Sequence, residues 1–317
     1  MKQTKNHLGL DVKRSLQKGA FCKGLVNGPA VQALILSFIL ASMVWGCAVS
    51  TKKLVIQDSL KEFGAGTIVF AGTGTPTTFE ALIDVLKDIR VIYVGENHID
   101  PAHHQIQLNI IRALAQERPD VSVGMEMFDR SYQPILDQWS HGFLQQDEFI
   151  KKTHWYSNWR YPYELYAELL DFIKIKKIRL VALNLPFHIP PKIRIGGIDS
   201  LMECDSAYFP KEIDTTNPAH RTYLEDVFKQ HHGRGGDNFE SFYQAQCVWE
   251  DVMAESIAAN LKGGMMVVLS GNGHIIHKFG IPNRAFKRSG APFQTIYLAP
   301  AGSTVTRDVA DYIWVTP

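Results

Sequence analysis

The sequence predicts an α/β fold: a mostly parallel central sheet flanked by helices, with a helical insertion. Three observations predict it. Short, nearly continuous apolar runs recur at Val91-Ile92-Tyr93-Val94, Val121–Met125, Arg179–Leu183 and Met265–Leu269, the pattern of strands buried on both faces. Stretches of helical period separate them, as βαβ units require. Glycine, or another turn-forming or polar residue, follows each run, where a strand must give way to a loop.

In chain order, Thr67-Ile68-Val69-Phe70 is a short apolar run before the turn Gly72-Thr73-Gly74-Thr75-Pro76. A helix follows over Thr78–Lys87, capped by Thr77 or Thr78, with Leu82, Ile83 and Leu86 on one face. After the strand Val91–Val94 the chain turns at Gly95. Asp100-Pro101 then opens a helix to about Glu117, with Ile106, Ile110 and Leu114 on one stripe. Val121–Met125 is the next strand. A helical hairpin over Tyr132–Trp139 and Gln146–Lys151, an aromatic segment from His154 to Tyr166 and a helix to Ile175 lead to the strand Arg179–Leu183. Residues 184–238 hold several prolines and the loop His231-His232-Gly233-Arg234-Gly235-Gly236, and read as an insertion with short helices. A helix near Phe239–Leu261 and the strand Met265–Leu269 resume the pattern.

Charge divides the chain. Lys and Arg number 33 and Asp and Glu 32, but residues 1–46 hold six cations and one acid, so a +5 leader precedes a remainder of −4. Nothing in this balance calls for nucleic acid as a partner. The leader, with its apolar run Val31–Trp45, reads as an export signal. Met43-Val44-Trp45-Gly46-Cys47 resembles a bacterial lipobox, which would make Cys47 the lipidated first residue of a membrane-anchored protein in the cell envelope. An uncleaved anchor is the alternative. Ala48, in place of the Asp that retains some lipoproteins at the inner membrane, favours the outer membrane. Residues 47–63 then read as a polar tether and 64–317 as the folded domain. Cys204 and Cys247, its two thiols, could form one disulfide.

Two strand ends match. Gly95-Glu96-Asn97-His98 and Gly271-Asn272-Gly273-His274 both follow buried runs, and ligand sites in parallel sheets lie beyond the carboxyl ends of strands. A third strand end adds Glu126, with Arg130 four residues on, and a fourth adds Asn184. His98, His274 and Glu126, with Glu96, form a first shell suited to a divalent transition metal, and equally to general acid and base work. His103-His104 read as packing or surface residues, with binding of a ligand near the helix start as the alternative, and His231-His232 as solvated loop residues. The segment His154-Trp155-Tyr156-Ser157-Asn158-Trp159-Arg160-Tyr161-Pro162-Tyr163 either packs on a helix or offers a flat wall, with phenols and imidazoles for a planar macrocycle's iron.

These blocks, with His103-His104-x-x-Gln107, Glu126-Met127-Phe128-x-Arg130-x-x-Gln133, Ala245-Gln246-x-x-Trp249-x-x-x-Met253-Ala254 and Gly280-Ile281-Pro282, resemble the ChaN-like family over roughly residues 64–316. That family comprises iron-regulated, haem-binding bacterial lipoproteins. It lies in a superfamily with Tiki metalloproteases, TraB-type proteins and erythromycin esterase-like hydrolases, whose paired Gly-x-x-His motifs and acid with nearby Arg are matched here by His98, His274, Glu126 and Arg130. The resemblance implies a haem-binding protein of iron uptake, with haem held between the subunits of a homodimer. Tyr156, Tyr161, Tyr163, His154 and His188 are candidate axial ligands, and Arg160, Lys192 and Arg194 candidate propionate partners. The superfamily implies the alternative of a metal-dependent hydrolase in which His98, His274 and Glu126 hold the metal, Glu96 activates water and Arg130 assists. A third reading keeps the old site as a structural part of an interaction module.

Overall fold

A computed structural model describes residues 52–231 and 238–317. The leader, Cys47 and the glycines of the 231–236 loop lie outside the described residues. Six parallel strands make up most of an eight-stranded sheet: β5 (Val91–Glu96), β6 (Val121–Asp129), β7 (Arg179–Asn184), β8 (Met265–Gly271), β9 (Phe293–Pro300) and β11 (Tyr312–Thr316). The spatial order is β4-β3-β11-β9-β5-β8-β6-β7, where β3 (Ile68–Phe70) and β4 (Thr75–Thr77) add an antiparallel hairpin at one edge. The fold is α/β with a mostly parallel sheet, as the apolar runs predict.

Successive strand residues point to opposite faces, and each face has its own helices. Ile92, Val94, Val123 and Met125 pack with α1 (Phe79–Leu86), α2 (Pro101–Glu117), α3 (Gln133–Ser140), α4 (Gln146–Lys152) and α6 (Ala167–Lys176). Val91, Tyr93, Val181 and Val268 pack with α10 (Phe239–Asn260) and α11 (Ile281–Ser289). The helix starts follow local chemistry. Thr78 Oγ1 accepts from the Ala81 amide at 3.2 Å, and Asp100 Oδ1 from the Ala102 amide at 2.9 Å ahead of Pro101, each satisfying a donor the helix cannot. α5 (Trp155–Asn158) is a single turn in the aromatic segment. Between β7 and α10 lie α7 (Ile189–Gly196), α8 (Glu203–Ser206) and α9 (Pro218–His231). Ile189 and Ile193 of α7 pack on Ala245, Val248 and Val252 of α10.

Two expectations are corrected. Residues 54–63 are strands, not tether: β1 (Leu54–Ile56) pairs antiparallel with β2 (Lys61–Phe63) and parallel with β10 (Thr304–Val305). Leu54 and Ile56 are fully buried against Val69, Ala299 and Ile313, so burial overrides the polar composition. Cys204 is exposed while Cys247 is buried, and both are free thiols rather than a disulfide.

The chain enters this body at the carboxyl edge of the sheet. The Gly302 amide, just past β9, donates to the Lys53 carbonyl at 3.0 Å, and the Ala301 amide to the carbonyl of Thr316, the end of β11, at 2.8 Å. Thr316 Oγ1 lies 3.1 Å from Nε2 of His103, whose Nδ1 accepts from the Asn97 amide at 2.8 Å.

Candidate functional site

The carboxyl ends of β5, β6 and β8 carry the paired motifs to one place. Glu96 and Gly271 are register partners across β5 and β8, so His98 and His274 leave adjacent strands. The approach depends on glycine: a Cβ on Gly271 would lie 3.2 Å from His98 Nε2, and one on Gly95 only 2.1 Å from Asn272 Oδ1.

Glu96 is buried and fully engaged. Its Oε1 accepts from His98 Nδ1 at 2.7 Å and from the Tyr166 hydroxyl at 2.6 Å, and its Oε2 from Gln107 Nε2 at 2.8 Å. Because a carboxylate only accepts, Nδ1 of His98 carries the proton, which leaves Nε2 as the lone-pair nitrogen of the neutral ring. His104 adds Nδ1 at 3.5 Å from Oε2 and donates from Nε2 to the His98 carbonyl at 3.2 Å. Burial alone would raise the Glu96 pKa, but the two histidines outweigh it and hold the group well below the ordinary carboxylate range. His98 is shifted the other way, its burial outweighed by Glu96 and Glu126.

Glu126 and His274 form the second half. Glu126 Oε2 accepts the Gly271 amide at 2.8 Å, and Oε1 lies 3.4 Å from His274 Nε2. The other ring nitrogen, Nδ1, lies 3.4 Å from Oε1 of Glu250 on α10. Burial pulls the imidazole's pKa down, but the two carboxylates push it up to about 10. Glu250 is itself held down at about 2, against its burial, by His220, His274 and Arg284. Arg284 continues the chain of charges to Asp251, and Arg288 meets Asp251 at 2.7 Å. A buried acid–base relay thus runs from the strand ends through α10 to α11 and α9.

This geometry bears on each expected role. His98, His274, Glu126 and Glu96 do come together. With carboxylates facing both its nitrogens, His274 is pushed toward the protonated form, so a metal bound there would have to displace a proton. Among the described residues no group of three His, Cys, Asp or Glu side chains is arranged to hold a metal ion. Glu96, whose oxygens meet Tyr166, Gln107 and two histidines, is not placed to activate water. Arg130 turns away from the cluster: Nε donates to Ser256 Oγ at 2.7 Å, Nη2 to the Val252 carbonyl at 2.6 Å, and Nη1 meets Glu255 at 2.8 Å, clamping α10 to the end of β6.

The aromatic segment stands over His98. The rings of Trp159 and Tyr161 lie 4.7 and 5.1 Å from its imidazole, and Phe187 lies 6.2 Å from Trp159. Tyr161 is half-buried, Arg160, His154 and Tyr156 are exposed, and Ile99 beside His98 is 62% exposed. Tyr163 is not an available ligand: it is fully buried against Trp155 and Phe149, and burial raises its pKa. His188 and Lys192 both turn to Asp205, at 3.3 and 2.9 Å.

Sequence reasoning missed Tyr166, Glu250, His220 and Arg284, and singled out Gln107 in a motif without giving it a role. Glu250 did carry a signal, since Tyr243, Cys247, Glu250, Ala254 and Ile257 share one buried stripe of α10, and an acid on such a stripe requires a buried partner.

Residues 82–285 match the profile of a family described as haem-binding uptake, Tiki superfamily, ChaN. Among solved structures, ChaN of Campylobacter jejuni, described as binding haem cofacially, is similar at 20% identity and a TM-score of 0.64, over 78% of this chain and 95% of that one. Weaker similarity extends to the erythromycin esterase EreC, at 13% identity over 74% and 76% of the chains with a TM-score of 0.44. The type III effector HopBA1 is similar at 11% identity over 74% and 91%, with a TM-score of 0.43. No curated protein matches the chain.

Proposed function

Since the chain belongs to the ChaN family of haem-binding uptake proteins in the Tiki superfamily, we propose that it is an exported lipoprotein of iron uptake that carries haem on the aromatic face beside His98. The observation that carries this reading is Tyr161. Its ring packs 5.1 Å from His98 and 5.4 Å from Trp159, and its hydroxyl makes no hydrogen bond among the described residues. A ferric haem needs an axial phenolate or imidazole, apolar walls and cations for its propionates. Tyr161 offers the phenol, Trp159, Phe187 and Ile99 the walls, and exposed Arg160 a propionate partner. Tyr156, 53% exposed, is the alternative phenol, and His98 Nε2 the alternative imidazole. The exposed rim of Ile99 and Tyr156 is suited to a second copy closing over the same haem.

Export and anchoring through Cys47, with an outer-membrane location, rest on the basic leader and the lipobox-like run. Among the described residues no helix is long and apolar enough to cross a membrane. The hydrolase reading has less support because the oxygens of Glu96 are engaged by His98, Tyr166 and Gln107.

Haemin titrated into the full-length protein in detergent should give a shifted Soret band that Tyr161→Phe abolishes or displaces and Tyr163→Phe leaves unchanged. An unaltered spectrum in the Tyr156→Phe/Tyr161→Phe double variant sinks phenolate ligation. Loss in His98→Ala alone would move the axial role to the imidazole. Failure of the unmodified protein to bind haemin would overturn the haem reading.

A further inference from the structure

At the amino edge of the sheet, opposite the haem face, a hollow of about 580 Å³ is lined by Arg112, Arg118, Lys176, Lys177, Arg179 and Lys262, with Asp120 its single acid. Six cations against one acid give +5, within a chain that carries −4 from residue 47 onward. The ends of α2, α6 and α10 converge there, and each helix C-terminus contributes about half a negative charge. Those dipoles offset roughly −1.5, and a large positive surplus remains.

Internal partners absorb only part of it. Arg112 meets Glu168 at 2.8 Å and Arg118 meets Asp120 at 2.6 Å. Arg179 is oriented by a neutral residue, donating from Nη2 to Asn260 Oδ1 at 2.6 Å and from Nη1 to the Asn260 carbonyl at 3.2 Å. Each of those nitrogens keeps a second N–H. Lys176, Lys177 and Lys262 make no ion pair among the described residues. Lys177 and Lys262 follow the ends of α6 and α10 in left-handed conformations, at φ 52° and 40°, positions that glycine fills most easily.

We propose that this hollow binds a phosphate-bearing anion, with Arg179 as the fixed donor and Lys176, Lys177 and Lys262 closing around the charge. Guanidinium and ammonium donors converging on one concave surface suit a compact, multiply charged oxyanion. Its volume suits a small molecule or a lipid headgroup rather than an extended polyanion. The site is independent of the haem reading.

The test uses the full chain in neutral detergent. Inorganic pyrophosphate is titrated calorimetrically at low salt, and phosphatidylglycerol doped into the micelles is titrated in parallel. One-to-one binding that weakens roughly tenfold or more in Lys177→Gln/Lys262→Gln, but not in Lys151→Gln/Lys152→Gln on the exposed surface of α4, supports the site. Binding of pyrophosphate alone identifies a soluble phosphate ligand; binding of phosphatidylglycerol alone identifies a headgroup. Binding of neither, or equal loss in the two variants, overturns the proposal.

Discussion

His274 illustrates how a residue's neighbours decide its chemistry. As a strand-end imidazole it reads as a metal ligand; Glu126 and Glu250, on its two sides, push it toward the protonated form. Its pKa of about 10 lies above the ordinary value of 6.5, so its contribution to stability is complete below about pH 6.5 and is lost as pH rises through about 10. Glu250, held at about 2 against an ordinary 4.5, contributes above about pH 4.5 and loses that contribution as pH falls through about 2. Nitrogen-15 NMR at pH 8 should therefore find both ring nitrogens of His274 protonated, and a neutral ring would contradict this. In Glu250→Gln one carboxylate is gone, so the ring should titrate at lower pH. Breaking a buried ionic group of this kind costs about 3–5 kcal/mol, which chemical denaturation would measure.

At the scale of elements, the strands that build the site were legible because each is largely buried on both faces and reads as a nearly continuous apolar run. β9 and β11 were not: Phe293–Pro300 places Gln294 and Thr295 early and ends in proline, and Tyr312–Thr316 is short. β1 and β2, three residues each, are too brief for any periodicity, and the burial of β1 comes from Val69 and Ala71 and from partners more than 200 residues away. The site divided along the same line. His98, Glu126 and His274 stood at the ends of legible strands, whereas Glu250 and Tyr166 reach it from helical segments whose placement only the fold supplies. The close packing of strand ends makes a sharp comparison between two glycines. Gly95→Ala drives a Cβ into Asn272 and to 2.8 Å from Ile275 Cδ1, so it should cost about 1–3 kcal/mol as overpacking does and displace the turn that holds His274. Gly273→Ala meets nothing within 4 Å and should leave thermal unfolding nearly unchanged. Equal melting temperatures for the two variants would refute the account.

Over the whole molecule, the polar look of residues 47–63 concealed one core strand, β1, and an exposed partner, β2. Removing Leu54 and Ile56 strips two fully buried side chains from the cluster around Val69 and Ile313. Truncations of that kind cost about 2–5 kcal/mol each, against a total domain stability of about 5–15 kcal/mol. A chain beginning at Gly64 should therefore melt without a cooperative transition in calorimetry, while one beginning at Lys52 should melt cooperatively. The same strands set the reach of whatever precedes them. Lys53 joins the body through Gly302, Thr316 and His103, a succession of contacts that ends beside His98. From Cys47 to Lys53 there are six Cα steps, about 20 Å at full stretch. If Cys47 carries a lipid and haem sits beside His98, as proposed, that short leash would limit how far an apolar ligand leaving a bilayer has to travel through water.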